Sequence, residues 1–182
     1  MIILNLAVTL ITGVCIALYL KTSPAHLVFR YFTVLSNCFS ALLSLAAALF
    51  RLFGEVPQAV LLIKYSATVC VSVTLSTVML FLGPIVYGYK SLFHGPDLFM
   101  HLICPLMAIV NHFAWDKPAG PFAIVFLGAL PVLLYALLYM TRVIYRKTWD
   151  DFYAFNRDGR WPVSFALMMF LALVLAILLW VL

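Results

Sequence analysis

The sequence predicts an all-α membrane protein, a single bundle of six transmembrane helices, and three observations carry that expectation. Only 9% of the 182 residues are charged and 66% are hydrophobic, with a mean hydropathy of +1.15; soluble domains carry about 25% charged residues. Apolar runs of about 20 residues, each long enough to cross a hydrocarbon core of about 30 Å, recur from end to end. The few charges collect in the short connections between the runs. One transmembrane domain over residues 1–182 accounts for the whole chain and leaves no length for a soluble appendage.

The elements follow in order. Residues 2–20 form the first run; no Lys or Arg precedes it, so it lacks the positive start of a signal peptide and is expected to remain as a helix. Beyond Ser23-Pro24 the second run spans 31–50, and Arg51 to Pro57 turns the chain. The third covers 58–82 and should end near Gly83-Pro84. The fourth covers 97–115: Pro96 suits the first helical position, and Asp97 faces the positive end of the helix dipole. Asp116 to Pro121 breaks that helix. The fifth covers 122–145, with a kink expected at Pro131. Arg146 to Pro162 is the longest loop, and 163–182 is the sixth span.

The net charge of +5 concerns orientation. No basic run interleaved with aromatics is present, which argues against a nucleic-acid partner. Connections one, three and five hold Lys21, Arg30, Lys90, Arg142, Arg146, Lys147, Arg157 and Arg160, against Arg51, Lys64 and Lys117 on the other side. The excess of Lys and Arg puts the odd-numbered connections in the cytoplasm and both termini outside. Lys64, one turn into the third helix, is expected to snorkel outward. Cys15, Cys38, Cys70 and Cys104 all fall inside apolar runs and read as small packing residues.

Polar groups within spans are costly and mark candidate sites. Thr33 and Asn37 lie four apart near the start of the second helix, hence on one face. His101 lies about one turn into the fourth. Both helices enter from the same side, so Thr33 and His101 sit at similar depth, roughly 5–8 Å below their helix starts. A hydroxyl beside an imidazole is the smallest nucleophile and base pair; the competing reading is a back-bonded Thr and a packed His. Pro105 has no N–H for the carbonyl of His101, four residues earlier, and should leave that carbonyl free.

Tyr-Phe-Thr33-x-x-Ser36-Asn37 on the second span, with His101-x-x-x-Pro105 on the fourth, resembles the androgen-induced and androgen-dependent membrane proteins and their six-helix bacterial relatives. Eukaryotic members of that family are threonine hydrolases of fatty acid esters of hydroxy fatty acids. The resemblance covers about 25 residues around the two helix starts, and beyond them hydropathy alone matches. It implies Thr33 as nucleophile, His101 as its partner and a lipid-like ester as substrate.

Other groups are candidates for supporting roles. The Asn37 amide is suited to an oxyanion, Ser36 adjoins it, and Thr74 or Thr77 would line the cavity if the third helix lies between the second and fourth. Asp97, Asp150, Asp151 and Asn156 are placed to orient His101 from the odd-numbered side. Trp149, Tyr153 and Trp161 read as an interfacial belt, and Ser66, Thr68, Ser72 and Ser76 as close helix packing. Asn111, His112 and Asp116 belong to the other face of the membrane.

A zinc-dependent hydrolase would draw on His94, Asp97, His101 and His26, but Gly95-Pro96 places His94 ahead of the helix. No cofactor motif and no metal set is assigned. A small transporter or a non-enzymatic helical scaffold is the reading from a different class. Transporters more often show paired broken helices or an internal repeat; the sequence has neither, though a homo-oligomer could supply a repeat. The bilayer is the one certain partner, and the cytoplasmic membrane of a bacterium is the expected location.

Overall fold

The computed structural model describes all residues, 1–182. The chain is mostly helical and has no strand. Six helices are long and apolar enough to span a bilayer: α1 Ile2–Thr22, α2 Phe32–Phe53, α3 Gln58–Tyr87, α4 Pro96–Asp116, α5 Ile124–Tyr145 and α6 Trp161–Val181. At 1.5 Å per residue a 21-residue helix is about 31 Å long, the thickness of the hydrocarbon layer. The expected all-α, six-helix architecture is therefore present, in a chain built as a multi-pass integral membrane protein.

The surface is inverted relative to a soluble protein. Ile3, Leu10, Leu42, Phe53, Leu80, Phe126 and Phe170 stand well exposed on the outside of the bundle, whereas Asn5, Thr12, Ser40, Ser44, Thr68, Ser72 and Asn111 are buried within it. Lipid leaves apolar side chains no reason to turn inward, so polar and small residues make the helix contacts. α3 is the central helix and packs against α2, α4, α5 and α6. Its Tyr65 fits over Gly128 of α5, where an added Cβ would lie 2.6 Å from the ring, and donates to the Ala176 carbonyl of α6 at 2.6 Å.

Three prolines interrupt the spans, and at each the carbonyl left without an N–H receives a side-chain donor from elsewhere. α3 does not stop at Gly83-Pro84. It continues as a π-helical stretch, Val78–Tyr87, whose bonds reach back five residues. In that register Pro84 faces the Met79 carbonyl, and the Tyr89 hydroxyl donates there instead at 2.7 Å. Gly83 permits this, since a Cβ would lie 2.2 Å from the Tyr89 ring. Gly88, at φ 77°, makes the reversal that brings Tyr89 back.

In α4 the segment Phe99–Ile103 is also π-helical, with the Cys104 N–H bonded to the Phe99 carbonyl. The next carbonyl in register is that of Met100, facing Pro105. The carbonyl freed by Pro105 is thus Met100 rather than His101, and the Asn37 amide fills it at 2.9 Å. In α5 the stretch Ile124–Met140 runs unbroken through Pro131, and Ser66 of α3 donates to the Leu127 carbonyl, four residues before Pro131, at 3.0 Å. Neighbouring side chains that satisfy freed carbonyls are what make proline tolerable inside a membrane.

Lys64 does not snorkel. It is 2% exposed, pairs with Asp116 at the end of α4 and donates to Asn5 of α1. Arg51 of α2 takes the other Asp116 oxygen at 2.6 Å. A charge within an apolar bundle persists when a counter-ion and hydrogen bonds replace its water, and Asp116 supplies these more closely than the membrane surface would. Asn111 donates to Asn5 at 2.6 Å, and His112 bonds the Leu179 carbonyl of α6 at 2.9 Å. Five helices, all but α5, are pinned together at this end.

Candidate functional site

At the opposite end, the connections after α1, α3 and α5 come together over the starts of α2 and α4. They enclose a cavity of about 650 Å³. Ser23 and Leu27 reach it from the first connection, Ser91 and Leu92 from the third, and Phe152 and Tyr153 from the fifth. Thr33, in the first turn of α2, and His101, one turn into α4, both line it. A second cavity, almost wholly apolar, lies beyond Thr33 among Val73, Thr77, Val132, Ala136 and Met168. Thr33, Leu82 and Tyr153 belong to the walls of both. Thr33 therefore stands where a wide vestibule holding a few polar and charged groups meets a small apolar pocket.

His101 is 9% exposed, and its Nδ1 lies 2.9 Å from the Leu92 carbonyl. A carbonyl only accepts, so in the neutral ring Nδ1 carries the proton and Nε2 keeps its lone pair. Thr33 begins a helix and has no preceding helical carbonyl to bond; its hydroxyl lies beside the Tyr153 phenol. Thr33 and His101 share the cavity without a direct hydrogen bond between them.

The supporting residues divide by their bonds. Asn37 is 1% exposed, and both its amide hydrogens are taken, by the Thr33 carbonyl at 2.8 Å and the Met100 carbonyl at 2.9 Å. It has no donor left for an oxyanion, and instead fastens the turn bearing Thr33 to the turn bearing His101. Ser36 and Thr74 share a hydrogen bond of 2.9 Å that ties α2 to α3. Thr74 and Thr77 line the apolar pocket, Thr77 bonded to the Met168 sulfur at 3.9 Å. Pro105 acts through Met100, as described above.

Asp97 lines the vestibule but bonds Tyr19 of α1 at 2.5 Å and not His101. Asp150 is exposed. Asp151 accepts from the Tyr139 hydroxyl and from the N–H groups of Phe155 and Asn156, all within 2.9 Å, and so shapes its own loop. His26 and His94 are exposed, and no three potential ligands among these residues converge.

Tyr153 is the largest departure from the sequence reading. It faces inward, its oxygen accepting the Phe32 N–H at 2.8 Å at the start of α2. Burial pushes its phenol up to about 12, against the neighbouring donors of Phe32 and Thr33, which favour the ionised form. The loop doubles back through Ala154, at φ 53°, and Phe155 packs against Tyr139. Trp149 by contrast lies under Arg142, and Trp161 lies against Tyr145, as interfacial aromatics do. The signal was available in Trp149, Phe152, Tyr153 and Phe155, too dense an aromatic run for a solvated loop. Arg30 was also counted only as a topology signal, yet it lines the vestibule.

Comparison of the chain with protein families, characterised proteins and solved structures finds no match. Any function must be argued from the site itself.

Proposed function

We propose that this protein hydrolyses lipid or acyl esters within the membrane, with Thr33 as nucleophile and His101 as base. The observation that carries this reading is the shared cavity: a threonine hydroxyl beside the Tyr153 phenol and an imidazole with its Nε2 lone pair available line one chamber, and the threonine also borders an apolar pocket. The resemblance at Thr33, Ser36-Asn37 and His101 points to the same pair.

In the reaction the ester lies at Thr33 and the first carbons of the acyl chain enter the apolar pocket of about 40 Å³. Thr33 Oγ attacks the acyl carbon while His101 Nε2 takes the hydroxyl proton. Negative charge on the former carbonyl oxygen is met by the Tyr153 O–H, which is kept protonated and is itself polarised by the Phe32 N–H. Collapse of the intermediate breaks the ester C–O bond, and the departing alcohol takes the proton from His101. Water then gives a proton to the same nitrogen, attacks the acyl-threonine and releases the acid, returning the proton to Thr33. We place the vestibule on the cytoplasmic face of a bacterial membrane, since eight of the eleven Lys and Arg residues lie on that side.

A fluorophosphonate probe tests the pair on detergent-purified protein. Wild type should label, and Thr33→Ala and His101→Ala should not, with chelator making no difference. Labelling that persists in either folded variant overturns the assignment. A non-enzymatic scaffold is the second reading, favoured by the Asn37–Met100 fastening; it requires instead that Thr33→Ala and His101→Ala lose folding.

A further inference from the structure

The vestibule contains two opposite charges that do not pair with each other. Arg30, just before α2, is half-buried and held between the rings of Tyr31 and Phe152, with its guanidinium carbon 5.1 and 5.0 Å from their centres. One Nη bonds the Tyr31 hydroxyl at 3.0 Å, but its buried Nε has no partner and no carboxylate pairs with it. Asp97, also half-buried, takes the Tyr19 hydroxyl on one oxygen and no protein donor on the other. Both line the same chamber.

We propose that this chamber binds the zwitterionic headgroup of a phospholipid, its phosphate against Arg30 and its ammonium against Asp97. A purely anionic headgroup would satisfy Arg30 and meet repulsion from Asp97. An uncharged one would displace water from both ions and offer neither a partner. Only a dipolar group answers both. About 650 Å³ is in the range of small-molecule sites; the apolar pocket beyond Thr33, about 40 Å³, takes only the carbons next to the ester, and the rest of the tail stays in the vestibule or the lipid. The exposed Ser91 and half-buried Ser23 hydroxyls add polar contacts at the wall. The assignment names the substrate class of the proposed ester hydrolase and rests on that reading for turnover, though not for binding.

Native mass spectrometry of the detergent-solubilised Thr33→Ala protein, which does not consume lipid, gives the test. Three single-chain lipids with the same tail are compared: lysophosphatidylethanolamine, lysophosphatidic acid and monoacylglycerol, alongside free phosphoethanolamine. The ethanolamine lipid should bind at least about tenfold more tightly than each of the other three. Adding Asp97→Asn should bring it level with lysophosphatidic acid. Arg30→Gln should bring it level with monoacylglycerol, while Arg30→Lys, which keeps the charge, should retain part of the preference. Equal or tighter binding of lysophosphatidic acid, or an Asp97→Asn protein with unchanged preference, overturns the proposal without recourse to the Arg30 variants. Free phosphoethanolamine binding as tightly as its lipid overturns the lipid assignment. Failure of fluorophosphonate labelling would remove the hydrolase reading and leave these affinities as they stand.

Discussion

The Asn37 side-chain amide donates to the Met100 carbonyl, the carbonyl that Pro105 leaves without a backbone donor. The bond joins α2 to α4 one residue before His101. Asn37→Leu should destabilise the protein by about 1–3 kcal/mol, the cost of an orphaned buried acceptor. Pro105→Ala restores a backbone N–H in register with Met100. The double variant should therefore lose less stability than the two single losses added, a coupling that thermal or denaturant unfolding in detergent would read. Strict additivity would mean that Pro105 and Asn37 do not share that carbonyl.

Asp116 is the shared counter-ion of Lys64 and Arg51 at the end of the bundle. Asp116→Ala should cost about 3–5 kcal/mol, because it leaves buried cations without a counter-ion. Adding Lys64→Met should recover much of that loss. Unfolding midpoints of the single and double variants check both values.

Tyr153→Phe should lower kcat for ester hydrolysis by about 10²–10³-fold with little change in KM, as expected for loss of an oxyanion donor. Its phenol is held up at about 12, against about 10 for free tyrosine. It stays protonated through pH 6–9 and adds no alkaline limb to the wild-type profile there. Between pH 10 and 12 the folded state holds this proton and the unfolded state has released it, so stability falls as pH rises. That component should be absent in Tyr153→Phe, which a pH series of unfolding midpoints would show.

Ala136 lines the apolar pocket beyond Thr33. Ala136→Phe should fill it and shift ester preference toward short acyl groups, with long-chain hydrolysis falling at least about tenfold relative to acetyl esters. Chain-length profiles of the purified variant measure this, and an unchanged profile would mean that the acyl group lies elsewhere.

The six spans were legible because lipid imposes length and composition on each helix separately, with no knowledge of its neighbours. Thr33 and His101 were found because polar residues inside apolar runs are conspicuous, and common depth follows from counting turns. What remained hidden depended on pairing. The carbonyl freed by Pro105 moved from His101 to Met100 because a π turn shifted the register, a change invisible in local composition. Lys64 looked like a boundary lysine because its partner, Asp116, lies 52 residues away in sequence. Tyr153 looked like a belt aromatic because no periodicity marks a loop that folds back into the bundle. The prolines of α3, α4 and α5 read as helix ends or kinks; their donors Tyr89, Asn37 and Ser66 appear only once the helices are packed.

The Lys64–Asp116 pair also bears on how the protein is made. Synthesis runs from the N-terminus, so α3 carries its lysine toward the lipid before α4, with the matching aspartate, has emerged. Lys64 stands near the start of α3, where a lysine costs less than the about 2.5–3.5 kcal/mol it would at the helix centre, and α3 is in addition the helix most surrounded by others in the finished bundle. Its proper environment does not exist until its partners arrive. α3 therefore precedes its counter-ion in synthesis, and the pair closes only once α4 has followed.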